Sequence, residues 1–266
     1  MTKFPLKTAL VLILAVCLAL PANRSASAAQ DLTIAAASSL RHVLPEIIRG
    51  FNKEHPGTAV KVIYGSSGKM RTQIVNGAPF DLFFSANMVF AQSLVDQGLA
   101  TGPVEIVALG RIAIWSARRN VQGLDVRDLL APSFKRIAIA NPLHAPYGAA
   151  AKQALQARAV WGPLHARFVY GENIGQAARF AMSGAVDAGL IALSLIVAPG
   201  MIGKGSHALV PANLHKPIKN GLVAIRRNVP NPSAKAFATY LQSAAVGAIW
   251  QRYGFELPEA PHVRQP

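Results

Sequence analysis

Serine, asparagine and glycine recur at a set of short turns along this chain. They are Ser38-Ser39, Gly65-Ser66-Ser67-Gly68, Ser85-Ala86-Asn87, the run from Asn141 through Pro146-Tyr147-Gly148, and Gly171-Glu172-Asn173-Ile174. Each follows a short apolar run and precedes a helix-like stretch. The first turn of a helix leaves backbone N–H groups unpaired and carries a partial positive charge. Small residues there let an anion approach the backbone, and serine hydroxyls add donors. One such turn is ordinary helix capping. Several converging on one cleft would ring an oxyanion with neutral donors.

Other chemistries fit less well. Ser66-Ser67-Gly68-Lys69 matches S-x-x-K, which in penicillin-binding enzymes sets a nucleophilic serine beside a lysine, but the accompanying Ser-Asp-Asn and Lys-Thr-Gly elements are missing. An exported serine hydrolase using Ser66 or Ser67 with Lys69 is the enzymatic alternative. The same segment fails as a phosphate loop in spacing and in having Met70 after the lysine. The seven histidines show no metal-ligand spacing. His144, in the Pro-x-Gly turn, is the one placed to approach a cleft. No general acid–base pair or triad can be assembled, so the expectation is a protein that is not an enzyme and has no cofactor.

The elements that would position these turns alternate strand and helix. Residues 32–37 read as a buried strand. Leu40, Val43, Leu44, Ile47, Ile48 and Phe51 follow at the spacing of one apolar helix face, with Pro45 delaying or bending the first turns. Further strands are expected at 60–64, 81–85, 136–140, 168–170, 188–191 and 222–226, with one long apolar stretch over 106–115. Helices are expected at 69–75, from 86 to Gly98, and at 149–158, 175–182 and 232–253. This rhythm predicts an α/β fold of parallel sheets with crossover helices, in which ligands bind beyond the carboxyl ends of the strands.

Composition narrows the setting. Lys3 and Lys7 precede an apolar run from Ala9 to Leu20, then Ala26-Ser27-Ala28. This is the pattern of a signal peptide cut after Ala28, and the apolar run is shorter than the roughly 20 residues that span a bilayer. Cys17, the only cysteine, lies in that segment behind Val16, so neither a disulfide nor a lipid anchor is expected. A soluble periplasmic protein is the expectation. The chain has 27 basic and 12 acidic residues. Removing residues 1–28 takes three basic residues and no acidic one, which lowers the net charge from +15 to +12. The basic residues are scattered without stacking aromatics, which argues against nucleic acid and for a surface that attracts small anions.

Several segments in order along the chain resemble the molybdate-binding proteins of bacterial ABC importers. They are Ala35-Ala36-Ala37-Ser38-Ser39-Leu40, the stretch Gly77-Ala78-Pro79-Phe80-Asp81 through Ser85-Ala86, Ala145-Pro146-Tyr147-Gly148, Gly184-Ala185-Val186-Asp187-Ala188-Gly189, and Tyr253-Gly254-Phe255. The resemblance implies a two-lobe periplasmic binding protein fold of type II, each lobe a mostly parallel sheet flanked by helices, with the ligand between them. Lobe one would hold residues 29–108 and 219–266, and lobe two residues 109–218. It implies a monomer that binds molybdate or tungstate and docks on an inner-membrane permease.

By the same resemblance Ser39 and Ser67 give hydroxyl and backbone donors to the oxyanion, Tyr147 and Ile174 give backbone N–H groups, and Ala86 gives a further one. Several members add a tyrosine hydroxyl from the strand after Asp-x-Gly, where this chain has Ala192. None of these positions is a cation or a carboxylate. A hydrogen phosphate needs an acceptor for its O–H, so a fully deprotonated dianion such as molybdate, tungstate or sulfate is favoured. Glu172 would have to turn away, toward a basic neighbour.

Overall fold

A computed structural model describes residues 30–258; the expected signal peptide and its cleavage point lie outside the described residues. The first run of elements is β1 (Leu32–Ala37), α1 (Leu44–Glu54), β2 (Val60–Gly65), α2 (Ser67–Val75), β3 (Leu82–Ser85), α3 (Met88–Asp96) and β4 (Ala100–Gly110). The chain then enters β5 (Ile112–Ser116), β6 (Ile137–Ala140), α4 (Pro146–Ala157), α5 (Trp161–Leu164), β7 (Phe168–Gly171), α6 (Ile174–Met182), β8 (Ala188–Ala192), α7 (Leu193–Ile196) and β9 (Ser206–Leu209). It returns through β10 (Ile218–Ile225) to α8 (Pro232–Tyr240) and α9 (Ala244–Arg252).

Two five-stranded sheets result, in the orders β2-β1-β3-β10-β4 and β7-β6-β8-β5-β9. The two-sheet α/β architecture agrees with the sequence reading, and each sheet is mixed. β1 pairs β2 and β3 in parallel, and β6 pairs β7 and β8 in parallel. β10 adds antiparallel pairs to β3 and β4, and β5 adds them to β8 and β9. The long apolar stretch at 106–115 divides at Arg111, β4 belonging to one sheet and β5 to the other. The chain therefore passes between the sheets at Arg111 and again between Leu209 and Ile218.

β1 illustrates how the first sheet is held. Ile34 and Ala36 face a cluster with Leu44, Ile47, Phe51, Phe237 and Trp250, while Ala35 faces one with Met70, Ile74, Phe83 and Leu94. Alternate residues of a strand point to opposite faces, so an apolar run is what a strand covered by helices on both sides requires. The expected helix over 232–253 is two helices, because Ser243 interrupts it and caps α9 by accepting the Val246 N–H. β9 escaped prediction: its four residues form a short sheet edge with only Ala208 buried.

Pro45 lies in the first turn of α1, where its missing N–H costs nothing, and a short 3-10 turn at Ser38–Leu40 takes up the chain before it.

Candidate functional site

The carboxyl ends of the parallel strands from both sheets meet. From the first sheet come the 3-10 turn after β1, the start of α2 after β2, and the turn after β3. From the second come the starts of α4 after β6 and α6 after β7. Together they surround a pocket of about 180 Å³, part of it open to solvent, lined by Ser38, Ser67, Ala86, Pro146, Tyr147 and Ile174, among others. No charged residue and no histidine is among the described residues lining it.

The backbone explains the close approach. Pro146 opens α4, and Gly148 follows where an added Cβ would stand 2.1 Å from the carbonyl oxygen of Ala140 at the end of β6. Only glycine lets the helix start sit this tightly against the strand. Asn173 caps α6 by accepting the Gln176 N–H at 3.0 Å. The first-turn N–H groups of Ser67, Tyr147 and Ile174 have no acceptor within their own helices.

Two serines are oriented by accepted bonds. Ser38 Oγ accepts the N–H of Gly175 at 3.0 Å, and Ser67 Oγ accepts the N–H of Ala86 at 3.0 Å. A hydroxyl has one proton to donate and two lone pairs. With a lone pair of each engaged behind the cavity, each O–H is available to the pocket.

These bonds revise two of the sequence assignments. Ser38 lines the cavity and Ser39 does not, since a 3-10 turn rotates successive side chains by about 120°. The Ala86 N–H is spent on Ser67 rather than offered to a ligand, although Ala86 itself lines the space. Ser67, Tyr147 and Ile174 do line it. Ala192, fully buried at the end of β8, is not a lining residue, and its methyl group has no donor. Two residues on, Ser194 Oγ donates to the Ser39 carbonyl at 2.8 Å, joining the halves behind the cavity.

Behind the lining, Ser39 Oγ, Tyr147 OH and Asn220 Oδ1 form a buried polar cluster. Burial pushes the Tyr147 hydroxyl up to about 12, against a smaller lowering by the neighbouring Ser39 and Asn220 side chains. None of the three atoms has a hydrogen bond of good geometry among the described residues. Asn220 escaped the sequence reading altogether, because nothing in its local pattern sets it apart from a sheet residue.

At the rim the two halves also touch. Gly68 N–H donates to the His144 carbonyl at 3.0 Å, and His144 Nδ1 lies 3.1 Å from Ser66 Oγ. Glu172 turns outward to an ion pair with Lys69, both side chains about half exposed. The lysine of the S-x-x-K match is thus engaged with a carboxylate rather than set beside a serine.

A family model described as bacterial extracellular solute-binding protein matches residues 32–256. The molybdate-binding protein ModA of Rhodobacter capsulatus is 35% identical over 261 residues, covering 96% of this chain and 99% of that protein. ModA of Azotobacter vinelandii is 32% identical over 242 residues, covering 90% and 96%. The solved structure of the Azotobacter vinelandii periplasmic molybdate-binding protein superposes with a TM-score of 0.80 at 34% identity, covering 86% of this chain and all of that one. The sulfate-binding protein SubI of Mycobacterium tuberculosis, at 17% identity and a TM-score of 0.72 over 86% of this chain and 88% of that one, shares the fold.

Proposed function

This chain belongs to the bacterial extracellular solute-binding protein family, and on that footing we propose that it captures molybdate, or its analogue tungstate, and delivers it to the permease of an ABC importer. It is a binding protein rather than an enzyme. In this reading the signal peptide is removed after Ala28 and the mature protein works in the periplasm. Each sheet with its helices moves as a lobe, the chain passing between them at Arg111 and again between Leu209 and Ile218, close to the 108/109 and 218/219 divisions expected from the resemblance.

The observation that carries the reading is a small cavity ringed from both sheets by first-turn donors, with no charged side chain in its lining. We assign the anion's oxygens to the hydroxyls of Ser38 and Ser67 and to the N–H groups of Ser67, Tyr147 and Ile174. The two hydroxyls are pre-oriented, because each already accepts an N–H from behind. The anion would thus meet donors that need little reorganisation.

Selectivity follows from what the ring lacks. A monohydrogen phosphate must place its O–H on an acceptor, and the ring holds no carboxylate; a serine hydroxyl that turned to accept it would give up its own donation to the anion, a cost of about 1–3 kcal/mol. Molybdate and tungstate carry no such proton. The relatives named for molybdate at more than 30% identity over nearly the whole chain favour it over sulfate.

Binding and closure are one event. Ser38 and Ser67 belong to the first sheet's side, and Tyr147 and Ile174 to the second's, so only the closed form offers every donor at once. The anion stabilises that form by its difference in affinity between the two. Calorimetric titration of the mature protein with molybdate, and of its Ser38→Ala variant, tests the assignment.

A further inference from the structure

The polar cluster behind the cavity has a consequence for the empty protein. Tyr147 comes from the second sheet's side, through the first turn of α4. Ser39 comes from the first side, and Asn220 stands in β10 opposite Ala108 of β4, the strand that leads to the crossing at Arg111. The Tyr147 hydroxyl reaches the crossing itself: a Cβ on Gly110 would stand 2.0 Å from its oxygen. Ser39 and Asn220 are fully buried and Tyr147 is 1% exposed. Yet Ser39 Oγ, Tyr147 OH and Asn220 Oδ1 lack well-formed hydrogen bonds among the described residues. The Asn220 amide has only long contacts, 3.4 and 3.5 Å, to the carbonyls of Ala108 and Ile218.

We propose that this cluster is a polar spring, with Tyr147 as its positioning residue, that holds the empty protein open and makes closure depend on the anion. A buried polar group without a good partner is costly, and the cost vanishes when water can reach it. The cluster is assembled from both sides of the crossing, so separating the halves parts Tyr147 from Ser39 and Asn220 and admits water. Closing them strips that water away. The bound anion must supply the difference, through donors on the same residues or their neighbours: the N–H at the other end of Tyr147, and Ser38 next to Ser39. A closed but empty binding protein would dock without cargo, and the spring disfavours that state.

This inference rests on the binding reading above, and it makes the unusual prediction that deleting a polar group improves binding. Tyr147→Phe keeps the N–H and removes the hydroxyl. Ser39→Ala keeps the carbonyl that accepts Ser194 and removes the unpartnered oxygen. Each should bind molybdate roughly five- to tenfold more tightly without a lower melting temperature. Each should also raise the closed fraction of the empty protein, read as the distance between spin labels placed one on each sheet's helices. Equal or weaker affinity with an unchanged closed fraction overturns the proposal. So does a joint fall in affinity and melting temperature, which would make the cluster a strut. If the wild type takes up no molybdate, the binding reading fails, while the closed fraction of the empty variants still decides whether the spring exists.

Discussion

The Oγ of Ser38 and the N–H of Gly175 meet at 3.0 Å across the cleft, although 137 residues separate them in the chain. The bond joins the turn after β1 to the first turn of α6, so a single serine both holds the halves together and presents its proton to the cavity. Ser67 repeats the device within the first side, accepting from Ala86 at 3.0 Å.

Ser38→Ala should therefore cost the anion one donor and leave the Gly175 N–H without its acceptor. The expected loss of molybdate affinity is about 1–3 kcal/mol, and Ser67→Ala should lose a similar amount. Calorimetry on both variants checks this. Affinities equal to wild type would remove these serines from the site.

The Lys69–Glu172 pair bridges the rim between α2 and the loop before α6. Because both side chains are about half exposed, the pair should contribute less than about 1 kcal/mol to stability. Its influence lies in approach. Lys69→Ala leaves an uncompensated carboxylate at the mouth and should slow molybdate association about two- to fivefold at low ionic strength, with the difference shrinking as salt screens it. Stopped-flow rates measured against salt would show the effect, and Lys69→Ala combined with Glu172→Gln should restore the rate.

His144 gives the folded protein a dependence on pH. Burial first, and then the charge of Lys69, hold its pKa below the ordinary imidazole value of 6.5. A lowered folded pKa means that the unfolded chain takes up the proton first. Stability is then full above about pH 6.5 and falls as pH drops from there toward the folded pKa. Melting temperatures should decline modestly across that window, and His144→Gln should flatten this part of the profile. An unchanged slope in the variant would assign the decline to other groups.

Asp187, part of the Asp-x-Gly segment quoted for the family resemblance, works in the fold rather than at the ligand. Its Oδ2 accepts the N–H groups of Lys135 and Arg136 at 2.8 and 2.9 Å, and Oδ1 accepts from Arg119 at 3.1 Å. Burial opposes its ionisation, but the hydrogen bonds from Arg136, Arg119 and Lys135, with the Arg119 charge, outweigh it and lower the pKa. The stabilisation is present above the ordinary carboxylate range and is lost as pH falls through the folded pKa. Asp187→Asn should destabilise by about 2 kcal/mol at neutral pH and less in acid, as urea unfolding at the two pH values would show.

Much of this organisation was legible beforehand because it is local. Apolar runs ending in Ser, Gly or Asn mark strand ends that open helices, and Ser67, Tyr147 and Ile174 follow from that rhythm and the resemblance together. The choice between Ser38 and Ser39 did not follow, because it depends on the rotation of one 3-10 turn, which both serines suit equally. Arg111 marks the passage between sheets, yet the apolar stretch around it carries no break that a strand would not tolerate. Asn220, Ser194 and the partner of Glu172 depend on contacts made more than a hundred residues away, and no local spacing encodes those.

A ring of donors without a charged side chain should select an unprotonated dianion. Calorimetric titration of the mature protein with molybdate and phosphate in parallel at neutral pH tests it most directly. The prediction is saturable one-to-one binding of molybdate with phosphate at least about a hundredfold weaker, the upper part of the expected cost of accommodating its O–H. Phosphate binding as tight as molybdate, or no uptake of molybdate at all, would contradict it.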